Sequence, residues 1–398
     1  MKYVIVLADG MADMPIAELG GKTPLEYAKT PCMDELASFG SMGMVRTVPS
    51  SMKPGSDVAN LAVLGYNPLE NYSGRSPLEA LSVGVSMKDT DIVFRCNLVT
   101  VSEEESYENK TIIDHSSGEI STQDADVLMD AVREAFENES IHFYTGTSYR
   151  HVTTWDHGEL LDLEPPHDHL GQVIGQFLPE NELFRNMMAK SFEVLNNHPL
   201  NVERASRGEN KANSIWFWGA GTKPSIQNFY EKTGLSGAMI SAVDLLKGIA
   251  VGAGMDVIHV EGANGSLHTN YLGKAEAAIQ ALLVDHNDFV YIHVEAPDEM
   301  GHQGNLWHKV QSIEQIDRNI ITVVKKALED SGEAYRILVL PDHPTPICKR
   351  THTSDPVPFV LFDSNNSEKK ETIFSEKTAA ATGVYIAEGH KMIDLLLK

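Results

Sequence analysis

Continuous apolar segments occur near both ends of the chain, and polar residues follow each of them directly. Residues 3–8, 288–294 and 335–340 are rich in β-branched and aliphatic side chains. Such segments are typical of strands that are buried on both faces of a parallel sheet. Because helical segments separate these strands, the pattern predicts an α/β domain. The predicted helices cover residues 30–39, 56–64, 243–250 and 310–328.

The first predicted helix has boundary signals at both ends. Thr30 stands at the N-cap position, Pro31 occupies the first turn, and Gly40 follows the last residue. Threonine side chains cap helix N-termini, and proline fits the first turn because the backbone N–H that it lacks has no partner there. We therefore predict that Thr30 caps this helix.

The middle of the chain has a different pattern, without long apolar segments. Short strand-like pieces mix with two helical segments here, as in a smaller α+β domain. The strand-like pieces cover residues 91–100, 107–114 and 140–144, and the helices cover residues 123–137 and 180–196. Residues 236–242 look like a strand that returns to the main sheet. The sequence thus predicts a discontinuous α/β domain, residues 1–85 and 235–398, interrupted by an inserted domain, residues 86–234.

Composition narrows the classes of partner and compartment. The formal net charge is −24 over 398 residues, which argues against nucleic acids and anionic membranes as partners. Three cysteines without a CxxC spacing do not form a disulfide framework. No apolar segment is long enough for a signal peptide or a membrane span. We therefore expect a cytoplasmic protein, and no pattern predicts its oligomeric state.

Carboxylates and imidazoles follow the predicted strands. Asp9 follows the first strand, Asp298 and His302 follow residues 288–294, and Asp342 and His343 follow residues 335–340. In open α/β sheets the ligand crevice lies beyond the carboxyl ends of the strands, so these side chains should converge. Carboxylate oxygens and imidazole nitrogens suit divalent ions such as Zn²⁺ and Mn²⁺. His352, further along the chain, would complete the set.

Each of these residues also has an ordinary structural explanation. Asp9 precedes Gly10 and could form a turn, and an isolated His352 is more often a surface histidine. Ser56 opens a predicted helix after Pro54-Gly55 and could be a plain N-cap. A helix N-terminus also stabilises an alkoxide or a phosphate, so capping and nucleophilic catalysis are compatible at Ser56. Together, the positions at the ends of successive elements indicate a site.

The full set of motifs resembles a known family. The pattern Asp9, Pro54-Gly-Ser-Asp57, Asp298-x-x-x-His302, Asp342-His343 and His352 is similar to that of archaeal-type cofactor-independent phosphoglycerate mutases, in the alkaline phosphatase superfamily. The resemblance covers essentially the whole chain. It implies an alkaline-phosphatase-like three-layer sandwich with a mostly parallel sheet, interrupted by the smaller α+β domain. Further matching segments are residues 4–13, 201–204, 240–248 and 353–359.

The resemblance implies a specific chemistry. Two divalent ions, most readily Mn²⁺ with Zn²⁺, Mg²⁺ or Co²⁺ as alternatives, would lie close together. Ser56 would take the phosphoryl group from 3-phosphoglycerate and return it to give 2-phosphoglycerate, without bisphosphoglycerate. By motif, Asp298, His302 and His352 would hold one ion. The other ion would be held by Asp9, Ser56, Asp342 and His343.

Binding a small phosphorylated carboxylate also requires cationic groups. In the family, the inserted domain supplies Arg and His, and His115 resembles its substrate-side histidine. Arginine grips carboxylates and phosphates with two hydrogen bonds, so Arg150 with His151, and Arg204, are candidate anion contacts. Lys247 could meet phosphate from the helix after residues 236–242. Arg75 and Arg207 are weaker candidates.

Other functions remain open at the level of sequence. Relatives of this type include proposed homoserine kinases, and Gly20-Gly-Lys-Thr23 imitates the end of a P-loop, although Ile16 stands where its first glycine belongs. A metal-dependent phosphatase would use the same ligands and pass the phosphoryl group to water. A sulfatase is disfavoured because Ser56 lacks the Cys/Ser-x-Pro-x-Arg context. A non-catalytic metal-binding protein would need the ligands but no nucleophile.

Overall fold

The chain folds into two compact units. The structure is a computed structural model, and it describes residues 1–366 and 368–398. Unit 1 comprises Met1–Tyr72 and Ser225–Lys398, and unit 2 comprises Ser73–Pro224. The domain boundaries expected from sequence, 85/86 and 234/235, lie further along the chain than those of the structure.

Packing explains the position of both boundaries. The helix Arg75–Ser82 belongs to unit 2, where its Glu79 forms an ion pair with Arg95 at 2.6 Å. The helix Phe229–Thr233 belongs to unit 1, where the ring of Phe229 packs on that of Phe289 with centroids 4.8 Å apart. Neither contact has a periodic signature in the sequence.

The strands of the described residues alternate with helices along unit 1 and cluster in unit 2. In chain order they are β1 (Lys2–Ala8), β2 (Ser41–Val45), β3 (Asp91–Val101), β4 (Ile112–Asp114), β5 (Ile141–Tyr144), β6 (Arg150–Asp156), β7 (Ser214–Thr222), β8 (Gly237–Ile240), β9 (Asp256–Ile258), β10 (Phe289–Val294), β11 (Tyr335–Leu340), β12 (Val357–Asp363) and β13 (Tyr385–Ile386).

The α-helices of the described residues vary from one turn to four. In chain order they are α1 (Pro24–Tyr27), α2 (Pro31–Phe39), α3 (Ser56–Val63), α4 (Pro68–Asn71), α5 (Arg75–Ser82), α6 (Thr122–Phe136), α7 (Glu182–Leu195), α8 (Pro199–Ser206), α9 (Phe229–Thr233), α10 (Asp244–Gly252), α11 (Tyr271–Ile279), α12 (Ala296–Gln303), α13 (Leu306–Ile316), α14 (Thr322–Ser331), α15 (Glu376–Ala381) and α16 (Met392–Leu397).

Unit 1 is built on an eight-stranded sheet with the order β13-β2-β12-β11-β1-β10-β8-β9. β1 lies between β10 and β11 and is parallel to both. Only β12 runs antiparallel to its described neighbours, β11 and β2. The mostly parallel α/β architecture predicted from the apolar segments is therefore confirmed. The central strands are buried except for Tyr3 in β1 and Arg336 in β11, as their continuous apolar composition predicts.

The cap of α2 differs from the prediction. Thr30 occupies the N-cap position, but its side chain makes no capping hydrogen bond. Instead, the carboxylate of Asp317 accepts hydrogen bonds from the backbone N–H groups of Met33 at 2.7 Å and Cys32 at 3.2 Å. Asp317 comes from a π-helical turn, Asp317–Ile321, which joins α13 to α14. A carboxylate from a distant helix thus replaces the local threonine.

Unit 2 contains a five-stranded sheet in which β3 is the central strand. β3 pairs antiparallel with β4, β6 and β7, and β5 pairs with β6. α6 and α7 contribute Leu128 and Phe184 to its buried apolar core. The segment 107–114, expected to be one strand-like piece, forms a 3-10 turn, Tyr107–Asn109, followed by β4.

Within the part of the chain that the structure describes, no helix combines the length and the apolarity that crossing a membrane requires.

Candidate metal centre and active site

The ends of three adjacent strands bring the predicted acidic residues together in unit 1. Asp9 follows β1, Asp298 lies in α12 directly after β10, and Asp342 follows β11. Because these strands are parallel neighbours, their carboxyl ends lie at the same edge of the sheet. All three aspartates are at most 9% exposed. The predicted convergence of the strand ends is what the structure shows.

Gly10 allows the end of β1 to approach α12 closely. Its backbone has φ of +61°, and a Cβ atom at this position would lie 2.6 Å from Oδ1 of Asp298 and 2.6 Å from Oγ1 of Thr345. Any other residue would therefore clash with these side chains and adopt a strained left-handed backbone. The glycine after Asp9 is required by the packing of the site.

The first group consists of Asp298, His302 and His352. Asp298 and His302 lie one turn apart in α12, so the i,i+4 spacing places them on one face, as the sequence allows. The Nε2 atom of His302 lies 3.2 Å from Oδ2 of Asp298, and that of His352 lies 3.4 Å from Oδ1. The two Nε2 atoms are 2.9 Å apart. Nitrogens that point at one another and at a carboxylate suit a shared cation.

Histidine side chains balance the negative charge of the Asp298 carboxylate in this group. Burial would raise the pKa of Asp298, but hydrogen bonds from His302 and His352 outweigh burial and hold that pKa well below its usual range. The same contact raises the pKa of His302 to about 9, because the ring donates to the Asp298 carboxylate. Without a metal, protonated histidine therefore supplies the positive charge.

The second group consists of Asp9, Asp342 and His343, with Ser56 beside it. The Nε2 atom of His343 lies 3.2 Å from Oγ of Ser56, 3.4 Å from Oδ2 of Asp342 and 3.7 Å from Oδ1 of Asp9. Ser56 is the first residue of α3, and Gly55 occupies the N-cap position. The hydroxyl of Ser56 makes no capping hydrogen bond and faces His343 instead.

Asp9 carries the observation that tests whether this group fits a cation. Its Oδ1 atom is buried and has no hydrogen-bond partner among the described residues. Burial and the nearby carboxylates of Asp342 and Asp298 raise the pKa of Asp9 well above its usual range. Converging buried carboxylates with an unused oxygen are costly unless a cation compensates them. The residues therefore fit a divalent ion.

The structure contains two sets of potential ligand atoms, the atoms of each set lying within 4.8 Å of one another, and His343 belongs to both sets. One set is Asp298, His343 and His352, and the other is Asp9, Asp342 and His343. The resemblance assigns His343 to a single ion. In the structure, the ring of His343 lies between the two groups, stacked on His352 with centroids 3.9 Å apart.

Several buried polar residues support the site although no sequence motif indicates them. His293 in β10 lies with Nε2 3.0 Å from Oδ2 of Asp9, and its Nδ1 is 3.2 Å from Oγ of Ser241. The hydroxyl of Thr345 donates to Oδ1 of Asp298. Asn60 donates to Asp342 at 3.0 Å. A histidine inside the apolar segment 288–294 is the one signal that sequence reasoning could have used.

Lys247 lies in α10 of unit 1, one turn after the N-terminus of the helix. Its ammonium group forms an ion pair with Asp244 at 3.1 Å, and its side chain is 24% exposed. Lys274, which is fully buried and donates to the backbone oxygen of His293 at 2.6 Å, is affected electrostatically by Lys247. Among the described residues, Lys247 thus acts on Lys274 electrostatically and makes no hydrogen bond or ion pair with the two ligand groups.

Unit 2 contains a cleft of about 410 Å³ with a strongly basic lining. The predicted residues His115 and Arg150 both line it. Sequence reasoning missed most of the other residues, and it ranked Arg75 low. The complete lining consists of Arg75, Arg95, Asn97, His115, Tyr149, Arg150, His167 and Trp218.

Aromatic rings and a carboxylate order the cationic side chains of this cleft. Arg95 is 7% exposed and lies 4.3 Å over the ring of Trp218 while it pairs with Glu79. His167 packs edge-on against Trp218 at 5.2 Å and faces His115 at 6.0 Å. The Nδ1 atom of His115 is buried and lacks a hydrogen-bond partner among the described residues. The arrangement offers hydrogen-bond donors and positive charge to an anion.

Strand alternation separates the predicted pair Arg150-His151. Arg150 pairs with Asn97 across the sheet, and both line the cleft. His151 pairs with Cys96 on the opposite face, where it is 1% exposed. Burial there lowers the pKa of His151 to about 3. The structure thus brings Arg150 but not His151 to the cleft.

Arg204 also lies away from the basic cleft. It is 4% exposed, and its guanidinium group is occupied by Asp124 at 2.8 Å, Glu209 at 3.2 Å and the backbone oxygen of Ser117 at 2.9 Å. These contacts join α8 to the start of α6. Arg207 pairs with Glu203 and Glu209 beside it.

The segment that imitates a P-loop has a different structure. Thr23 caps α1, its side chain accepting from the backbone N–H of Glu26 while Glu26 accepts from that of Thr23. α1 itself covers only Pro24–Tyr27. A P-loop requires a glycine-rich loop that leads from a strand into a helix and wraps a phosphate. The geometry here is that of a capping box.

Fold and site together define a class of α/β protein in which one edge of a mostly parallel sheet collects carboxylates, imidazoles and a serine at a helix start. Comparison with known proteins identifies the family within this class. The family model for 2,3-bisphosphoglycerate-independent phosphoglycerate mutase matches residues 37–201. Two relatives with that name are each 46% identical to the chain.

These relatives match along their whole length. One, named a probable 2,3-bisphosphoglycerate-independent phosphoglycerate mutase, is from Geobacter sulfurreducens and aligns over 402 residues, 100% of both chains. The other is from Methanosarcina acetivorans and aligns over 404 residues, again 100% of both. The chain therefore belongs to the 2,3-bisphosphoglycerate-independent phosphoglycerate mutase family, and the resemblance found in the motifs is confirmed.

Solved structures agree with this assignment. A Pyrococcus horikoshii protein is 31% identical with a TM-score of 0.81, the match covering 100% of this chain and 96% of that one. The cofactor-independent phosphoglycerate mutase from Thermoplasma acidophilum is 26% identical with a TM-score of 0.68, over 100% and 99% of the two chains. The fold is therefore shared along the whole chain.

Proposed function

We propose that this protein is an isomerase that interconverts 3-phosphoglycerate and 2-phosphoglycerate through a phosphoserine at Ser56, without bisphosphoglycerate. The observation that carries the proposal is the position of the Ser56 hydroxyl, 3.2 Å from Nε2 of His343, a residue that belongs to both potential ligand sets. A nucleophile at this position suits phosphoryl transfer. The names of the full-length relatives supply the substrate.

Two divalent ions, which we propose to be Mn²⁺, would be held by the residues of the metal centre. When bound, they would lower the pKa of the serine hydroxyl and neutralise charge on the phosphoryl oxygens. Zn²⁺, Mg²⁺ and Co²⁺ have overlapping ligand preferences. The proposed ligands are Asp298, His302 and His352 for one ion and Asp9, Ser56, Asp342 and His343 for the other.

The serine carries the phosphoryl group between the two hydroxyls of the substrate. Oγ of Ser56 attacks phosphorus, the Oγ–P bond forms, and the bond from phosphorus to the C3 oxygen breaks. The C2 hydroxyl of the glycerate then attacks the phosphoserine and the Oγ–P bond breaks. The proton that Ser56 gives up in the first half passes to the C3 oxygen, and the proton of the C2 hydroxyl restores Ser56 in the second, so the net reaction is an isomerisation. The N-terminus of α3 stabilises the negative charge at Ser56 in both halves.

We propose that the basic cleft of unit 2 binds the anionic groups of this small phosphorylated carboxylate. Arg150 is exposed and lies 5.4 Å over the ring of Tyr149. The stacking on this ring orients the hydrogen-bond donors of its guanidinium group. Arg95 and His115 add buried donors to the same cleft. His151 and Arg204, which have buried structural contacts, are left out of this assignment, and Lys247 is retained as a candidate phosphate contact.

Charge supports the remaining parts of the proposal. A net charge of −24 disfavours nucleic acids and anionic membranes, so the partner is a small metabolite that enters a local basic cleft. A reaction on such a soluble metabolite, together with cysteines that are free in the structure, suits the cytoplasm.

Phosphorus NMR of Mn²⁺-loaded protein with 3-phosphoglycerate tests the proposal, with nucleotide and bisphosphoglycerate left out. The expected result is a new 2-phosphoglycerate signal at equilibrium with the substrate. Free phosphate as the sole product would replace the mutase by a phosphatase. Turnover that appears only after homoserine and ATP are added would favour a kinase-like phosphotransferase.

A further inference from the structure

A fully buried asparagine connects the nucleophile to a metal ligand. Asn60 lies one turn after Ser56 in α3 and is 0% exposed. Its Nδ2 group donates to the backbone oxygen of Ser56 at 2.8 Å and to Oδ2 of Asp342 at 3.0 Å. Its Oδ1 atom accepts a hydrogen bond from the hydroxyl of Tyr291 at 2.6 Å. Both the NH₂ group and the oxygen of the Asn60 side chain therefore have hydrogen-bond partners.

These partners fix the orientation of the amide. An ionised carboxylate only accepts hydrogen bonds, so the NH₂ group of Asn60 must face Asp342. Burial and the charges of Asp342 and Asp9 raise the pKa of Tyr291 well above its usual range, which keeps its hydroxyl protonated and able to donate. A reversed amide would place oxygen against the carboxylate and would break this chain of contacts.

The other oxygen of Asp342 is also held in place. Its Oδ1 atom accepts hydrogen bonds from the backbone N–H groups of His343 at 2.9 Å and Gly10 at 3.1 Å. Asn60 is the donor to Oδ2 from the helix that carries the nucleophile. The amide of Asn60 therefore links the Asp342 carboxylate, whose other oxygen is held by the backbone, to the first turn of α3.

We propose that Asn60 is a positioning residue, and that Tyr291 orients it so that Ser56 is held in register with Asp342. The effect on turnover rests on the proposed function, whereas the effect on metal binding depends only on Asp342 acting as a ligand. Groups that orient ligands in this way typically change metal affinity or activity by about 10–100-fold when they are removed.

Two substitutions test this positioning role. Tyr291→Phe removes one hydroxyl and retains the ring, and we expect kcat to fall about tenfold at unchanged KM. Asn60→Leu removes the donor to Asp342, and we expect kcat and the affinity for Mn²⁺, measured by calorimetric titration, each to fall by about 10–100-fold. The split between kcat and KM separates positioning from substrate binding.

Matched controls separate positioning from general destabilisation. Tyr335→Phe removes a buried tyrosine hydroxyl from β11 of the same sheet, and Asn201→Leu removes a buried amide that donates to two backbone oxygens in unit 2. Both controls should change the thermal midpoint but leave kcat and Mn²⁺ affinity at the wild-type values. Equal losses in controls and test variants would overturn the inference.

The outcomes also distinguish this inference from the proposed function. If the wild-type protein does not convert 3-phosphoglycerate but Asn60→Leu still weakens Mn²⁺ binding relative to Asn201→Leu, the proposed function fails and the link between Asn60 and Asp342 stands. If the wild-type protein is an active mutase and both Tyr291→Phe and Asn60→Leu retain wild-type kcat and Mn²⁺ affinity, the inference is overturned. Because Tyr291→Phe retains the packing of the ring, it provides this test even if Asn60→Leu does not fold.

Discussion

The imidazole ring of His343 stacks on that of His352, with centroids 3.9 Å apart and an angle of 28° between the planes. Two protonated rings in this arrangement would repel each other. Burial lowers the pKa of His343, and the neighbouring His352 lowers it further. His343 is thereby kept neutral, as a metal ligand must be. The neutral, stacked ring of His343 thus presents one nitrogen to Ser56, Asp9 and Asp342.

Replacing the proposed nucleophile should separate chemistry from metal binding. In Ser56→Ala we expect turnover of 3-phosphoglycerate to fall below about one thousandth of the wild-type rate, because the acceptor oxygen is absent. Elemental analysis should still find metal, since the carboxylates and imidazoles remain. Ser375→Ala, which removes a buried N-cap serine from α15, is the matched control and should retain activity. Wild-type turnover in Ser56→Ala would refute the assignment of the nucleophile.

Two buried aspartates of the metal centre should respond oppositely to neutralisation in metal-free protein. Asp9→Asn should raise the thermal midpoint by a few degrees, because burial and neighbouring carboxylates already disfavour its charge. Asp298→Asn should lower the midpoint, because His302 and His352 stabilise that charge. Thermal denaturation after treatment with a chelator measures both effects.

Adding metal should then reverse the order of thermal stability of the wild-type protein and the Asp9→Asn variant. Wild-type protein with Mn²⁺ at a hundred times its Kd should gain about 2.7 kcal/mol of stability, whereas both variants should gain much less. An equal gain in the Asp9→Asn variant and the wild type would show that Asp9 does not bind the ion.

The sequence predicts the strand ends of the site better than the contacts between them. The apolar segments at residues 3–8, 288–294 and 335–340 identify β1, β10 and β11, and parallel strands bring the following polar residues to one edge. Asn60 and Tyr291 could not be found in this way, because their roles depend on how α3 packs against β10. Amides and phenols without a spacing pattern carry no signal of their own.

Side-chain alternation explains why the sequence predicted only some of the residues that line the basic cleft of unit 2. The sequence places Arg150 and His151 together, but consecutive residues of a strand face opposite sides, and the strand β6 was not predicted. Arg95 and Asn97 are separated by one residue in the predicted strand 91–100, so they face the same side as each other. Polar residues at alternating positions of an otherwise apolar strand are a signal that could have located the cleft.

The partly buried Glu376 should give the stability of metal-free protein a characteristic pH dependence. Burial raises the pKa of Glu376 from 4.5 to about 7, although Thr23 donates to it at 2.7 Å. Because the folded-state pKa is the higher one, its contribution is complete below about pH 4.5 and is lost as the pH rises through about 7. The difference between these values corresponds to at most about 3 kcal/mol.

Glu376→Gln removes this titration while a similar shape is retained. The fall in the thermal midpoint between pH 5 and pH 8 should therefore be smaller in the variant than in the wild-type protein. Glu371→Gln changes the same charge at an exposed position of the same segment and should preserve the wild-type dependence. Parallel pH profiles of Glu376→Gln and wild type would contradict the assignment to Glu376.

The two arginines that the sequence offered as anion contacts should behave differently. Arg150 is exposed and lines the basic cleft, so Arg150→Ala should raise KM for 3-phosphoglycerate by about 10–100-fold, as expected for loss of a charge-assisted contact of about 1.5–3 kcal/mol. Its thermal midpoint should change little. Arg204→Ala should leave KM unchanged and lower the midpoint strongly, because partly buried Asp124 would lose its 2.8 Å ion pair and keep only the contact with Arg207 at 3.9 Å. Steady-state kinetics and thermal denaturation of both variants measure this contrast.

A raised KM in Arg204→Ala at an unchanged midpoint would instead return Arg204 to the substrate site and remove the cleft as the place where the substrate binds.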